Sequence, residues 1–230
     1  MTIHGFQKMT LLDYPGKVAC TVFTAGCNLR CPFCHNALLV TRPDPAAAFD
    51  PEEILAYLKK RVGLLDGVCV TGGEPLLQPD IGDFLLRIKE MGFAVKVDTN
   101  GTLPDRLRRL VESGAVDTVA VDIKNRREKY PLTVGLPDFD VAPVEETVRY
   151  LLSGAVDYEF RTTVVAELHT PEDIDAIGAW ISGAPRYYLQ NFVDSGELIG
   201  EGLHAHPKEI LEQMRAIAAR HIPTVELRGV

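Results

Sequence analysis

Three cysteines, Cys27, Cys31 and Cys34, stand in one short segment, Gly26-Cys27-Asn28-Leu29-Arg30-Cys31-Pro32-Phe33-Cys34-His35-Asn36. Thiolates this close in sequence can wrap a compact metal centre without closing a long stretch of chain, and Asn28 and Pro32 mark the segment as a loop. Three ligands to a four-iron cubane leave one iron without a protein ligand, whereas a cluster that only passes electrons is normally held by four cysteines. An open position is where a substrate or cosubstrate can coordinate, as in catalytic metal sites generally. The competing reading is a structural zinc site made of the same cysteines and His35, in a non-enzymatic binding module. Zinc favours ligand pairs on separate turns, and a histidine directly after the last cysteine is poorly placed to reach the same ion. Cys20 and Cys69 fall inside apolar runs and read as small buried hydrophobes.

Such a loop must be positioned by regular elements, and the chain supplies them in alternation. Runs rich in β-branched residues predict strands at 18–24, 67–71, 94–98, 118–123, 158–165 and 186–192. Asp50-Pro51-Glu52-Glu53 and Thr170-Pro171-Glu172-Asp173 each place an N-cap, a proline at the first helical position and an early carboxylate, and so predict two helix starts. Gly92, Gly114 and Gly154 follow amphipathic runs and precede strands, where a left-handed cap ends a helix. A helix and a strand are also expected over about 207–228. About six βα units make either a complete or partial barrel or a doubly wound sheet, and the pattern alone leaves both open. In either, ligands gather at the C-terminal ends of the strands. The polar motifs obey that rule. The cysteines follow the first of these strands, Gly72-Gly73-Glu74 the second, Asp98-Thr99-Asn100-Gly101 the third and Asp122-Ile123-Lys124 the fourth, with Arg161, Gln190 and Asn191 within or at the ends of later ones.

The 230 residues, 46% of them hydrophobic, are enough for one α/β domain, and one domain over 1–230 is expected, its core about 16–192. No linker or low-complexity segment divides them; 41–48, with two prolines and three alanines, reads as a surface connection. A net charge of −8 argues against a broad nucleic-acid or anionic-membrane surface. The N-terminus lacks the apolar core of a secretory signal, no run approaches the roughly 18 apolar residues of a membrane span, and the clustered thiols suit a reducing compartment. A cytoplasmic chain with no nucleic-acid or membrane partner is the expectation.

The cysteine spacing with an aromatic residue, Phe33, before the last cysteine resembles the signature of the radical S-adenosylmethionine (SAM) superfamily, and Gly72-Gly73-Glu74-Pro75 resembles its SAM-binding motif. With Asp13-Tyr14-Pro15-Gly16-Lys17 upstream and Asp-Thr-Asn-Gly and Asp-Ile-Lys downstream, the chain over about 8–192 resembles the glycyl radical enzyme activating enzymes, nearest to the anaerobic ribonucleoside-triphosphate reductase activating proteins. The resemblance implies an α/β fold with a partial (β/α)6 barrel. It also implies one 4Fe-4S cluster on Cys27, Cys31 and Cys34, and SAM as cosubstrate. SAM would be contacted by Phe33, the backbone near His35, Gly72, Gly73, Glu74, Asn100 and Lys124, with Gln190 and Asn191 toward the ribose. Related activases hold a monovalent cation between strand-end aspartates, which would be Asp98 and Asp122 here. Arg161 reads either as substrate-facing or as half of an ion pair, and Glu74 either as a SAM contact or as a brace for its own turn. The implied partners are a glycyl radical enzyme and a flavodoxin or ferredoxin-type electron donor. Only Cys69 lies between Cys34 and Gly72, so the chain resembles the minimal, single-cluster kind. A small-molecule enzyme of the same superfamily, similar to 7-carboxy-7-deazaguanine synthase, is the alternative.

Overall fold

The computed structural model describes residues 1–44 and 47–229, so that Pro45 and Ala46, inside the expected surface connection, lie outside the described residues. The six expected strands form with no end shifted by more than one residue: β2 (Ala19–Thr24), β3 (Gly67–Gly72), β4 (Ala94–Thr99), β5 (Thr118–Asp122), β6 (Asp157–Val164) and β7 (Tyr187–Asn191). They are preceded by β1 (Ile3–Thr10) and followed by β8 (Val225–Arg228), and strand order in the sheet follows chain order. The helices are α1 (Ala37–Thr41), α2 (Pro51–Lys59), α3 (Ile81–Glu90), α4 (Pro104–Glu112), α5 (Tyr130–Thr133), α6 (Ala142–Leu152), α7 (Pro171–Trp180) and α8 (Lys208–Ala218). No helix among the described residues is long and apolar enough to cross a membrane.

The chain divides into two compact units, Met1–Asn28 with Leu38–Thr99 and Asp105–Val119, and Leu29–Ala37 with Asn100–Pro104 and Ala120–Val230. In the first, β2 pairs in parallel with β3 (Cys20 opposite Val68, Thr24 opposite Gly72) and β3 with β4 (Gly67 opposite Ala94). Val22, Val68, Val70, Val95 and Val97 are fully buried on these strands, and α2 and α3 each bury a stripe, Ile54-Leu55-Leu58 and Phe84-Leu85-Ile88. Strands covered on both faces read as continuous apolar runs, which is why the sequence announces them. β1 was not among the expected strands because it is an antiparallel edge of mixed polarity, buried only at Ile3 and Thr10. In the second unit β6, β7 and β8 pair in parallel, with Phe160 opposite Tyr187 and Tyr187 opposite Val225.

Both expected helix starts are present. The Asp50 carboxylate accepts from the Glu52 amide at 2.9 Å, and Thr170 and Asp173 close a reciprocal capping box at the head of α7. Gly92, Gly114 and Gly154 stop α3, α4 and α6 with φ of 89°, 72° and 78°. Cys20 and Cys69 are fully buried, and burial pushes the Cys20 thiol up to about 12, as befits an inert core residue.

Candidate active site

In the first unit the cysteine loop leaves the end of β2 and is fixed by the turn after β3. The Gly73 amide donates to Thr24 O at 2.8 Å and the Glu74 amide to Gly26 O at 2.8 Å. This approach is so close that a Cβ on Gly72, whose φ is +119°, would lie 2.4 Å from the Thr24 backbone, and one on Gly73 would lie 1.9 Å from Gly26 O. The glycine pair is therefore required by the seating of the loop that carries Cys27, whatever else it approaches. Glu74 is wholly buried; its Oε1 accepts from the Leu76 amide at 3.0 Å and from Thr99 Oγ1 at 2.7 Å. The carboxylate thus caps the short Pro75–Leu77 turn and ties it to the end of β4, which is the bracing role. On β4, Lys96 Nζ lies 2.5 Å from Asp98 Oδ1, with the two side chains only 1% and 8% exposed.

In the second unit, Cys31 and Cys34 share a tight turn, the Cys34 amide donating to Cys31 O at 3.1 Å. The segment is anchored from both sides: the Arg30 amide donates to Val134 O and the Gly200 amide to Pro32 O, at 2.9 and 2.8 Å. Phe33 is buried, with the His169 ring edge-on to it and Lys124 Nζ 5.9 Å from its centre. The His35 ring stacks on Phe192, and its Nε2 donates to Val193 O at 2.7 Å, so that this nitrogen is not free to bind zinc. Asp122 lies between two cations, Arg161 Nε at 3.0 Å from one oxygen and Lys124 Nζ at 3.2 Å from the other. Burial would raise the Asp122 pKa, but Arg161 and Lys124 hold this carboxylate well below the usual range. Burial would likewise weaken the Lys124 ammonium, and Asp122 and Cys31 reverse that and hold it above the ordinary lysine value. Arg161 is thus in an ion pair.

Two further residues expected at the site are engaged by the protein itself. Asn100 Oδ1 accepts from the amide and hydroxyl of Thr102 at 3.0 and 2.7 Å, closing an Asx turn. The Asn191 carboxamide both donates to and accepts from the His206 backbone at 3.2 Å, leaving Gln190 as the polar side chain of that strand end with no such tie to His206. Three residues that matter here were not picked out from the sequence. Lys96 could have been, because the alternation of Val95-Lys96-Val97-Asp98 puts it on the same strand face as Asp98. His169 and Tyr130 could not. His169 Nε2 donates to Lys124 O at 2.8 Å and the Tyr130 hydroxyl accepts from the Lys124 amide at 3.2 Å, both contacts made by residues remote in sequence or across a turn.

Among the described residues no three His, Cys, Asp or Glu side chains already stand in a metal-binding geometry. The donor set still suits an iron–sulfur cluster. Cys27, Cys31 and Cys34 lie on a non-helical loop, none of them is in a disulfide, and thiolates are soft ligands suited to an iron–sulfur cluster.

The radical SAM superfamily matches residues 21–181. A protein of Methanocaldococcus jannaschii, provisionally named a glycyl-radical enzyme activating enzyme, is 30% identical over 99% of this chain and 96% of its own length. The 7-carboxy-7-deazaguanine synthase of Methanopyrus kandleri is 32% identical over 48% of this chain and 51% of its own. Among solved structures, Streptococcus suis SuiB bound to S-adenosylmethionine superimposes with a TM-score of 0.72 at 15% identity, covering 90% of this chain and 49% of that one. This likeness carries the fold alone, the α/β partial barrel; the family match over residues 21–181 and the end-to-end relative place the chain in the radical SAM superfamily.

Proposed function

We propose that this chain is a glycyl radical enzyme activating enzyme. The observation that carries the reading is the end-to-end match, 99% of this chain on 96% of the M. jannaschii relative, against about half of each chain for the deazaguanine synthase. Cys27, Cys31 and Cys34 hold one 4Fe-4S cluster. When bound and reduced by a flavodoxin or ferredoxin-type donor, that cluster would supply the electron for cleaving SAM to methionine and a 5′-deoxyadenosyl radical. The chain's own residues bind and orient. Gly72, Gly73 and Glu74 fix the cysteine loop through backbone contacts, Phe33 offers an apolar face to the adenine, and Gln190 faces the ribose. Lys124, kept protonated by Asp122 and Cys31, presents a fixed positive charge to an anionic group of SAM. The hydrogen is then taken from a glycine Cα in a protein partner, and five cysteines outside any disulfide suit a reducing, cytoplasmic setting.

The test is anaerobic incubation of the reconstituted protein, SAM and a reductant with candidate glycyl radical enzymes, read by electron paramagnetic resonance. A glycyl signal in one of them is the expected result. Turnover of a small molecule with no glycyl signal in any candidate overturns the proposal. Cys31→Ala is expected to lose SAM cleavage altogether.

A further inference from the structure

The resemblance to activases implies a monovalent metal ion held by Asp98 and Asp122, and the residues present do not fit one. A carboxylate already neutralised at close range by a fixed positive charge has little left with which to draw a metal ion. Asp98 has Lys96 Nζ at 2.5 Å, and both side chains are almost wholly removed from solvent. The pairing follows from the sequence: residues two apart on a strand share a face, so β4 delivers the lysine and the aspartate together. Asp122 is more heavily compensated still, with Arg161 on one oxygen and Lys124 on the other. A metal ion added at Asp98 would put two positive charges beside one carboxylate in a medium of low polarity, where their repulsion is scarcely screened. A lysine ammonium carries the same single charge as a potassium ion and is tethered in place.

We propose that Lys96 is a built-in cation: a positioning residue that supplies at the end of β4 the positive charge a bound monovalent metal would otherwise bring, making the enzyme indifferent to such ions. The inference rests on the SAM chemistry of the superfamily and not on the identity of the hydrogen donor, so it is tested without a partner enzyme. A missing glycyl signal would therefore leave it standing.

The experiment measures SAM affinity and SAM cleavage by the cluster-loaded enzyme in potassium, sodium or tetramethylammonium chloride at equal ionic strength. The wild type is expected to vary by less than about twofold among the three salts, and thallium-205 resonance is expected to show no bound thallous ion. In Lys96→Met, both quantities should fall about tenfold or more in tetramethylammonium and recover severalfold in potassium, with a bound thallous ion now visible. A tenfold stimulation of the wild type by potassium or sodium, or a bound thallous ion in the wild type, overturns the proposal. So does a folded Lys96→Met that stays indifferent to the salt. If that variant does not fold, the two wild-type measurements decide alone.

Discussion

Two strand-end ion pairs use the same chemistry in opposite settings. At the end of β4, Lys96 and Asp98 are 1% and 8% exposed, and Glu74 beside Thr99 is sealed entirely. At the end of β5, Asp122, Lys124 and Arg161 are 31%, 15% and 15% exposed, and one carboxylate serves two cations. A pair sealed from water holds its geometry, since removing either partner strands the other out of water. An open triad with one cation in excess can turn toward an incoming anion. The difference separates residues that position the site from residues that meet its ligand.

The largest expected effect comes from breaking the sealed pair. Lys96→Met should cost about 3–5 kcal/mol of stability, whereas Lys124→Met should cost about 1–2 kcal/mol, because Arg161 still holds Asp122. Thermal or denaturant unfolding of the two variants checks the ranking, and equal losses would erase the contrast. SAM cleavage should rank them too, Lys124→Met losing roughly tenfold or more in every salt.

Gly73→Ala tests the backbone contact on the sealed side. Its Cβ would fall 1.9 Å from Gly26 O, and neither backbone can yield without moving the loop that carries Cys27. A loss of about 3 kcal/mol is expected, with a lowered iron content after reconstitution. Unchanged iron loading would show that the glycine pair does not seat the loop.

On the open side, acid should act first through His169. Burial lowers this imidazole from 6.5 to about 4, so the folded protein keeps it neutral while the unfolded chain takes up a proton below pH 6.5. The stability it contributes is therefore complete above pH 6.5 and declines as pH falls through 6.5 toward 4, by up to about 3 kcal/mol. Asp122 is held below the usual carboxylate range, and its contribution disappears only in stronger acid. Unfolding measured between pH 7 and 4 should lose much of its slope in His169→Asn. The smallest effect is expected from Asn191→Ala, about 1 kcal/mol for the two hydrogen bonds to the His206 backbone. It should leave cluster loading unchanged.

The strands that bury both faces, the capped helix starts and the placing of each polar motif after a strand were legible because short-range patterning states them. β1 was not, since an exposed edge of mixed polarity carries no periodic signal. Glu74 could be read two ways from its turn, and only its partners, the Leu76 amide and Thr99 hydroxyl, show the brace. Lys96 stood in plain alternation with Asp98, yet nothing in the chain says that both side chains are sealed from water.

The sequence by itself determined the superfamily chemistry, because three thiolates at close spacing, a glycine pair and strand-end carboxylates are statements about residue types a few positions apart. The tertiary structure alone decided which of those groups are already occupied. Whether Asp98 meets an ion or Lys96, whether Asn191 meets a ligand or the His206 backbone, and whether His35 is a ligand or a stacked ring depend on partners and on burial. Distances and solvent access are set by packing across elements remote in the chain, and the energy of a charge follows them more than its residue type.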